Sequence, residues 1–185
     1  MDDVRQRAEL NVARGGELLM LCAWLQGQMT DLLIFGARPD VLPAFIANPR
    51  RVPSDFSALR SVRWEKAFSA VASEFEKAFE AHLTPQDLAD LHALGFIRNG
   101  LAHAHVSMGR DYLLYRPSGS KAKVSRMIEA LKLSRVEGQS EPLVIKFTLW
   151  QDELYAVTFG MITRLDETCF SRIALAIGVP HSRIR

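Results

Sequence analysis

Leu18, Cys22, Leu25, Met29 and Leu32 recur at intervals of four, three, four and three. That spacing follows the period of an α-helix and lays one apolar seam along it. Such a seam is stable only when buried against other helices. Residues 2–35 therefore read as a first helix, with Gly15-Gly16 as a point of interruption and Gly36 and Pro39 as its stop. From Ala37 to Ser54 the chain carries four of its eight prolines, which predicts a long connection with a short turn of helix over 40–46. Arg50-Arg51 lies in it, a basic pair of the kind that is usually just solvated.

A second helix follows over 55–82. Phe56, Leu59, Trp64, Phe68, Val71, Phe75 and Phe79 form a stripe at helical spacing. Glu74, Glu76 and Glu80 sit among them, so the stripe reads as core and not as a surface on which nucleic-acid bases stack. Thr84 as N-cap, Pro85 at the first helical position and Asp87 in the first turn open a third helix, expected to run to about Val106. Leu88, Leu91, Leu94 and Leu101 give its core face, and Gly95 and Gly100 inside it suggest close approach by a neighbour.

After that helix the period changes. Tyr112 to Tyr115 is a short strand candidate within 110–117. Over 143–149, Leu143, Ile145, Phe147 and Leu149 alternate to one face, so the two segments can pair as an antiparallel ribbon. Between them, Lys121 to Leu133 reads as a short basic helix. Residues 110–137 hold seven Lys/Arg against three Asp/Glu, a local excess of four on a chain whose net charge is +2. Lys121, Lys123 and Arg126 are the candidates for phosphate contact there. A solvated insert explains the same charges equally well. With no aromatic partners in evidence for the Lys and Arg of 110–137, any such contact is expected through phosphates alone. The last long helix is expected over 150–177, with Thr148 and Gln151 as a capping box and Leu154, Val157, Met161, Leu165, Cys169 and Ile173 facing inward. Gly178 and Pro180 stop it, and His181 to Arg185 form a short basic tail. The sum is a mainly α fold: a bundle of about four long helices in one domain over 1–185, with a small two-stranded β insertion at 110–149.

The chemistry-bearing stretch is Phe96-Ile97-Arg98-Asn99-Gly100-Leu101-Ala102-His103. On a helix at about 100° per residue, Arg98 and His103 diverge by about 140°, with Gly95, Asn99 and Ala102 between them. The pair would then flank a groove that a second copy of the helix could enter. Arg98-Asn99-x-x-x-His103 resembles the Rx4–6H signature of the HEPN superfamily, small helical proteins that include many metal-independent RNases. The resemblance is specific at this one helix and architectural elsewhere. It implies a metal-independent endoribonuclease, a toxin or phage-defence component of the abortive-infection kind. RNA would be its substrate, a homodimer its working form and an antitoxin protein a partner. Attack would come from a ribose 2′-OH on the adjacent phosphate. An imidazole, titrating ordinarily near about 6.5, can move protons at neutral pH, which suits His103. A guanidinium keeps its charge and suits Arg98 to a developing phosphorane. Asn99 would orient the substrate or the imidazole. The bland reading of the same residues is that of dipole partners or surface groups near a helix end. A non-catalytic helical binding or regulatory module of the same fold is the alternative. Some HEPN toxins carry a tyrosine two positions after the histidine, where a partner enzyme modifies it; here that position is His105.

Other chemistries find little purchase. No cofactor is expected. On a continuous helix His103 and His105 would point apart by about 200°, and no carboxylate or cysteine stands near to complete a metal set. Gly-rich phosphate loops, G-x-S-x-G and HExxH are absent from the sequence. Cys22 and Cys169 lie in apolar helical stretches and read as buried free thiols. Trp24, Trp64 and Trp150 read as core. The start, Met1-Asp2-Asp3, is acidic, and Leu18–Leu25 is too short for a bilayer, so no membrane is expected and a cytoplasmic location is.

Overall fold

The computed structural model describes residues 2–48, 54–117, 121–131 and 144–183. The chain is mainly helical, with one small antiparallel sheet. Helix α1 spans Asp2–Ala37, α2 Leu42–Ala47, α3 Ser54–Trp64, α4 Phe68–Ala78 and α5 Pro85–Ala102. Strand β1 is Leu113–Tyr115, helix α6 Lys121–Leu131 and strand β2 Ile145–Phe147. Helix α7, Asp152–Arg164, continues through a π-helical stretch, Leu165–Phe170, into α8, Ser171–Ala176. Two compact units result, Met1–Cys22 with His92–Met161 and Ala23–Leu91 with Ile162–Arg185.

The seam of α1 is wholly buried at all five positions from Leu18 to Leu32. The helix does not break at Gly15-Gly16. Gly15 is buried where a Cβ would meet Leu113 and Leu149, and Gly16 faces open space, so neither glycine marks a turn. The apolar run is longer than Leu18–Leu25, because α1 as a whole is long and apolar enough to cross a bilayer, a test that a buried core helix also passes. Asp3–Ala37 contains a sufficiently apolar window, 61% of it buried inside the structure. Two polar side chains buried in the same helix are met by protein: Gln28 Nε2 donates to Asp166 Oδ1 at 3.1 Å, and Arg60 forks onto Asp31 at 2.9 and 2.5 Å.

In the second unit, Phe35, Phe45 and Phe56 pack with ring centroids 5.0–5.3 Å apart, and Phe75 packs on Phe79 and Phe170. The helix expected over 55–82 is in fact α3 and α4, separated at 65–67. Gln26 Nε2 donates to the carbonyl of Lys66 at 3.0 Å, which satisfies the backbone where the helix opens. Ala67 is extended at φ −63, ψ 148 and restarts the helix. Trp64, the stripe residue beside the break, is 57% exposed, and Trp24 and Trp150 are only half-buried, so the tryptophans are not core. Thr84 and Asp87 cap α5 reciprocally. The Asp87 N–H donates to Thr84 Oγ1 at 3.2 Å, and the Thr84 N–H donates to Asp87 Oδ2 at 2.7 Å. The far end of α8 closes on Gly178 at φ 73. Its N–H donates to Leu175 O at 3.2 Å, and the Val179 N–H reaches Ala174 O at 2.8 Å, a Schellman closure.

In the first unit, β1 and β2 pair in the expected antiparallel sense, Leu113 with Phe147, Leu114 with Lys146 and Tyr115 with Ile145. Leu113, Tyr115, Ile145 and Phe147 are buried on one face. Asn11 and Arg14 of α1 hold the segment after β2. Asn11 Oδ1 accepts from the Trp150 N–H at 2.7 Å, and Arg14 donates to Leu149 O at 2.7 Å and to Asp152 Oδ1 at 2.7 Å. With Trp150 held this way, α7 starts at Asp152. Thr148 and Gln151 join side chain to side chain at 3.3 Å, not in a reciprocal capping box. On α7 the buried positions are Ile162 and Thr158, whose hydroxyl donates to Leu154 O at 2.7 Å, while Val157, expected inside, is 51% exposed.

Candidate functional site at the end of α5

Arg98, Asn99 and His103 all belong to the first unit. Leu94, Ile97 and Leu101 bury the inner face of the segment that carries them. Gly100 allows this placement. An ideal Cβ there would lie 2.7 Å from Phe147 Cζ and 3.0 Å from Cε2, so only glycine lets the helix seat against the ribbon. The close approach expected at the glycines is thus made at Gly100 by the chain's own β2.

Arg98 is half-buried. Among the described residues it has no carboxylate partner. Its charge is felt by Cys22, whose thiol burial pushes up to about 12 against the opposing pull of Arg98. Asn99 is turned to the ribbon, its Nδ2 donating to Tyr115 Oη at 3.1 Å. His103 is exposed. No hydrogen bond joins any two of Arg98, Asn99 and His103 among the described residues.

Helix α5 stops earlier than its pattern suggests. Its last residue is Ala102, and His103 sits in the turn beyond it. The reason is non-local. His105 leaves the helix to bridge Leu114, its N–H donating to Leu114 O at 2.6 Å and its carbonyl accepting the Leu114 N–H at 3.0 Å. His103 and His105 therefore do not share a helix, and the rotation argument for separating their rings lapses. Among the described residues, no three of His, Cys, Asp and Glu gather as a metal ion would require.

Compared with protein families, with curated proteins and with solved structures, the chain matches none of them.

The basic helix α6 exposes Arg126 and buries Met127. The side chains of Lys121 and Lys123 lie outside the described residues, as do the whole of Arg50-Arg51 and Leu143. Two features were missed in the sequence. One is Tyr115 as the partner of Asn99, sixteen positions away. The other corrects the expectation that the basic residues of 110–137 lack an aromatic partner. The Arg110 guanidinium carbon lies 5.8 Å from the Tyr112 ring centroid, and Lys146 Nζ, from outside that range, lies 4.4 Å from the same ring. The available signal was the register of the ribbon, which sets Lys146 opposite Leu114.

Proposed function

We propose that the chain is a HEPN-type, metal-independent endoribonuclease, a cytoplasmic toxin or phage-defence component that cleaves RNA by 2′-OH attack on the adjacent phosphate. One observation carries the reading. Arg98 has no carboxylate partner among the described residues, and an exposed His103 follows it by five positions, in the turn just beyond the helix. A guanidinium without a carboxylate partner is ready for a phosphate. An exposed imidazole can exchange protons with a ribose hydroxyl. In this reading α1, the α3–α4 pair, α5 and the α7–α8 run are the four long helices of the bundle. The working form is a homodimer joined near Gly95, Asn99 and Ala102, none of which is fully buried in one copy. An antitoxin protein is its natural restraint.

The test is cleavage of a labelled RNA by the purified protein with EDTA present. Wild type cuts, and His103→Ala does not, while its unfolding free energy stays within about 0.5 kcal/mol of wild type, as expected for an exposed substitution. RNA left intact by the wild type overturns the proposal. The alternative, a non-catalytic helical module, draws on the bond from Asn99 to Tyr115, which gives the amide a structural role. Sedimentation at micromolar concentration tests the dimer, and a monomer refutes it.

A further inference from the structure

The alternation that buries Leu113, Tyr115, Ile145 and Phe147 turns Leu114 and Lys146 to the opposite face of the ribbon. His105, bridged to Leu114, stands on that face and is exposed; Arg116, directly after β1, and Arg110, three residues before it, are exposed too. His105, Leu114 and Lys146 line up across the ribbon over about 9.5 Å, two strand spacings. At one end the half-buried Tyr112 ring gathers Lys146 at 4.4 Å and Arg110 at 5.8 Å. Among the described residues, none of Arg110, Arg116 and Lys146 has an acidic partner. The nearby carboxylate, Asp111, lies 3.7 Å from Arg7 Nη1. Three permanent cations and a histidine thus gather at one small face, with no acidic partner for the three cations among the described residues. Like charges so placed repel, and a bound polyanion would relieve the repulsion.

We propose that this outward face of the ribbon binds single-stranded nucleic acid, with Arg110, Arg116 and Lys146 on consecutive phosphates and the Tyr112 ring stacking one base. A cationic track beside an aromatic ring is the combination single strands use. A ring already drawing two cations keeps them within reach of the phosphates that flank a stacked base. His103 lies two residues before His105, at most about 7 Å along the chain. A strand lying on this face would therefore pass close to it. The binding claim stands without the cleavage proposal, because it is measured on strands that cannot be cut.

Fluorescence anisotropy of the full chain with a short 2′-O-methyl oligouridylate and with a short oligothymidylate tests it; neither strand offers a 2′-OH. Both should bind. Lys146→Gln should weaken binding and flatten the log K versus log salt slope by about 0.7, one single-strand phosphate contact. Tyr112→Leu should weaken binding about tenfold with the salt slope unchanged, and Tyr112→Phe should restore it, which separates stacking from misfolding. Binding of only one of the two strands would assign the face to RNA or to DNA and uphold the proposal. Wild-type protein that binds neither strand overturns it. So does Lys146→Gln or Tyr112→Leu with wild-type affinity. Displacement of the strand by polyglutamate at equal charge concentration would also overturn it, in favour of an acidic protein partner.

Discussion

Gly100→Ala is the sharpest test of how α5 is seated. The new methyl would sit 2.7 Å from Phe147 Cζ and 3.0 Å from Cε2, with Tyr115 Cδ1 at 3.5 Å. Two effects oppose each other. Alanine in a helix interior is favoured over glycine by about 1 kcal/mol. Overpacking a filled core costs about 1–3 kcal/mol. Phe147 is wholly buried, so its ring has no open space to swing into, and the cost belongs near the upper end of that range. The net expectation is a loss of about 1–2 kcal/mol. Urea denaturation followed by circular dichroism should show a lower midpoint with an unchanged slope. In a Phe147→Leu background the clash is gone, and the same substitution should become neutral or stabilising. A Gly100→Ala protein about 1 kcal/mol more stable than wild type would show that helix propensity alone decides this position, and the argument for the seat would fail.

Gly16→Ala is the converse case. Nothing lies within 4 Å of the added Cβ, so it should stabilise by about 0.5–1 kcal/mol in the same urea assay. Leu94→Ala empties a wholly buried site and should cost about 2–5 kcal/mol by the same measurement. Two carboxyls should give opposite pH dependence. Burial pushes Asp31 up to about 6, against the hydrogen bond and charge of Arg60. Stability through this group therefore falls as pH rises from 3.8 to about 6, and Asp31→Asn should flatten that fall. At Asp87 burial raises the pKa, but the hydrogen bonds from Thr84 and the Arg172 guanidinium together hold it below the ordinary range. Its contribution is present above the usual carboxylate pKa and is lost as pH falls through its lowered value. Unfolding free energies of Asp87→Asn across acid pH should lack that loss.

Local pattern carried much of the fold. The α1 seam, the Thr84-Pro85 start, the Gly178 stop and the alternation around Phe147 are written within a few residues of where they act. The departures arise where a distant group decides. Trp64 and Phe68 are four apart and keep helical spacing, so nothing local announces the break at 65–67. It is stabilised by Gln26, forty residues earlier. Leu101 to His105 carries no stop signal, and α5 ends because Leu114 offers His105 a strand partner. Arg98, Asn99 and His103 were legible as one stretch. The surroundings that give them context, Tyr115 behind Asn99 and Lys146 over Tyr112, depend on strand register, which pairs residues about thirty positions apart.

Cys22 and Cys169 are buried one in each unit. Burial pushes both thiols up to about 12, aided at Cys169 by the neighbouring Asp87 charge. Because only a thiolate attacks an alkylating reagent, neither sulfur reacts while its surroundings stay closed. Each is therefore a timer for the opening of its own unit. The two adducts fall in different proteolytic fragments, so one time course read by mass spectrometry yields two opening rates. Equal rates would mean that the units breathe together, and unequal rates would rank their lifetimes.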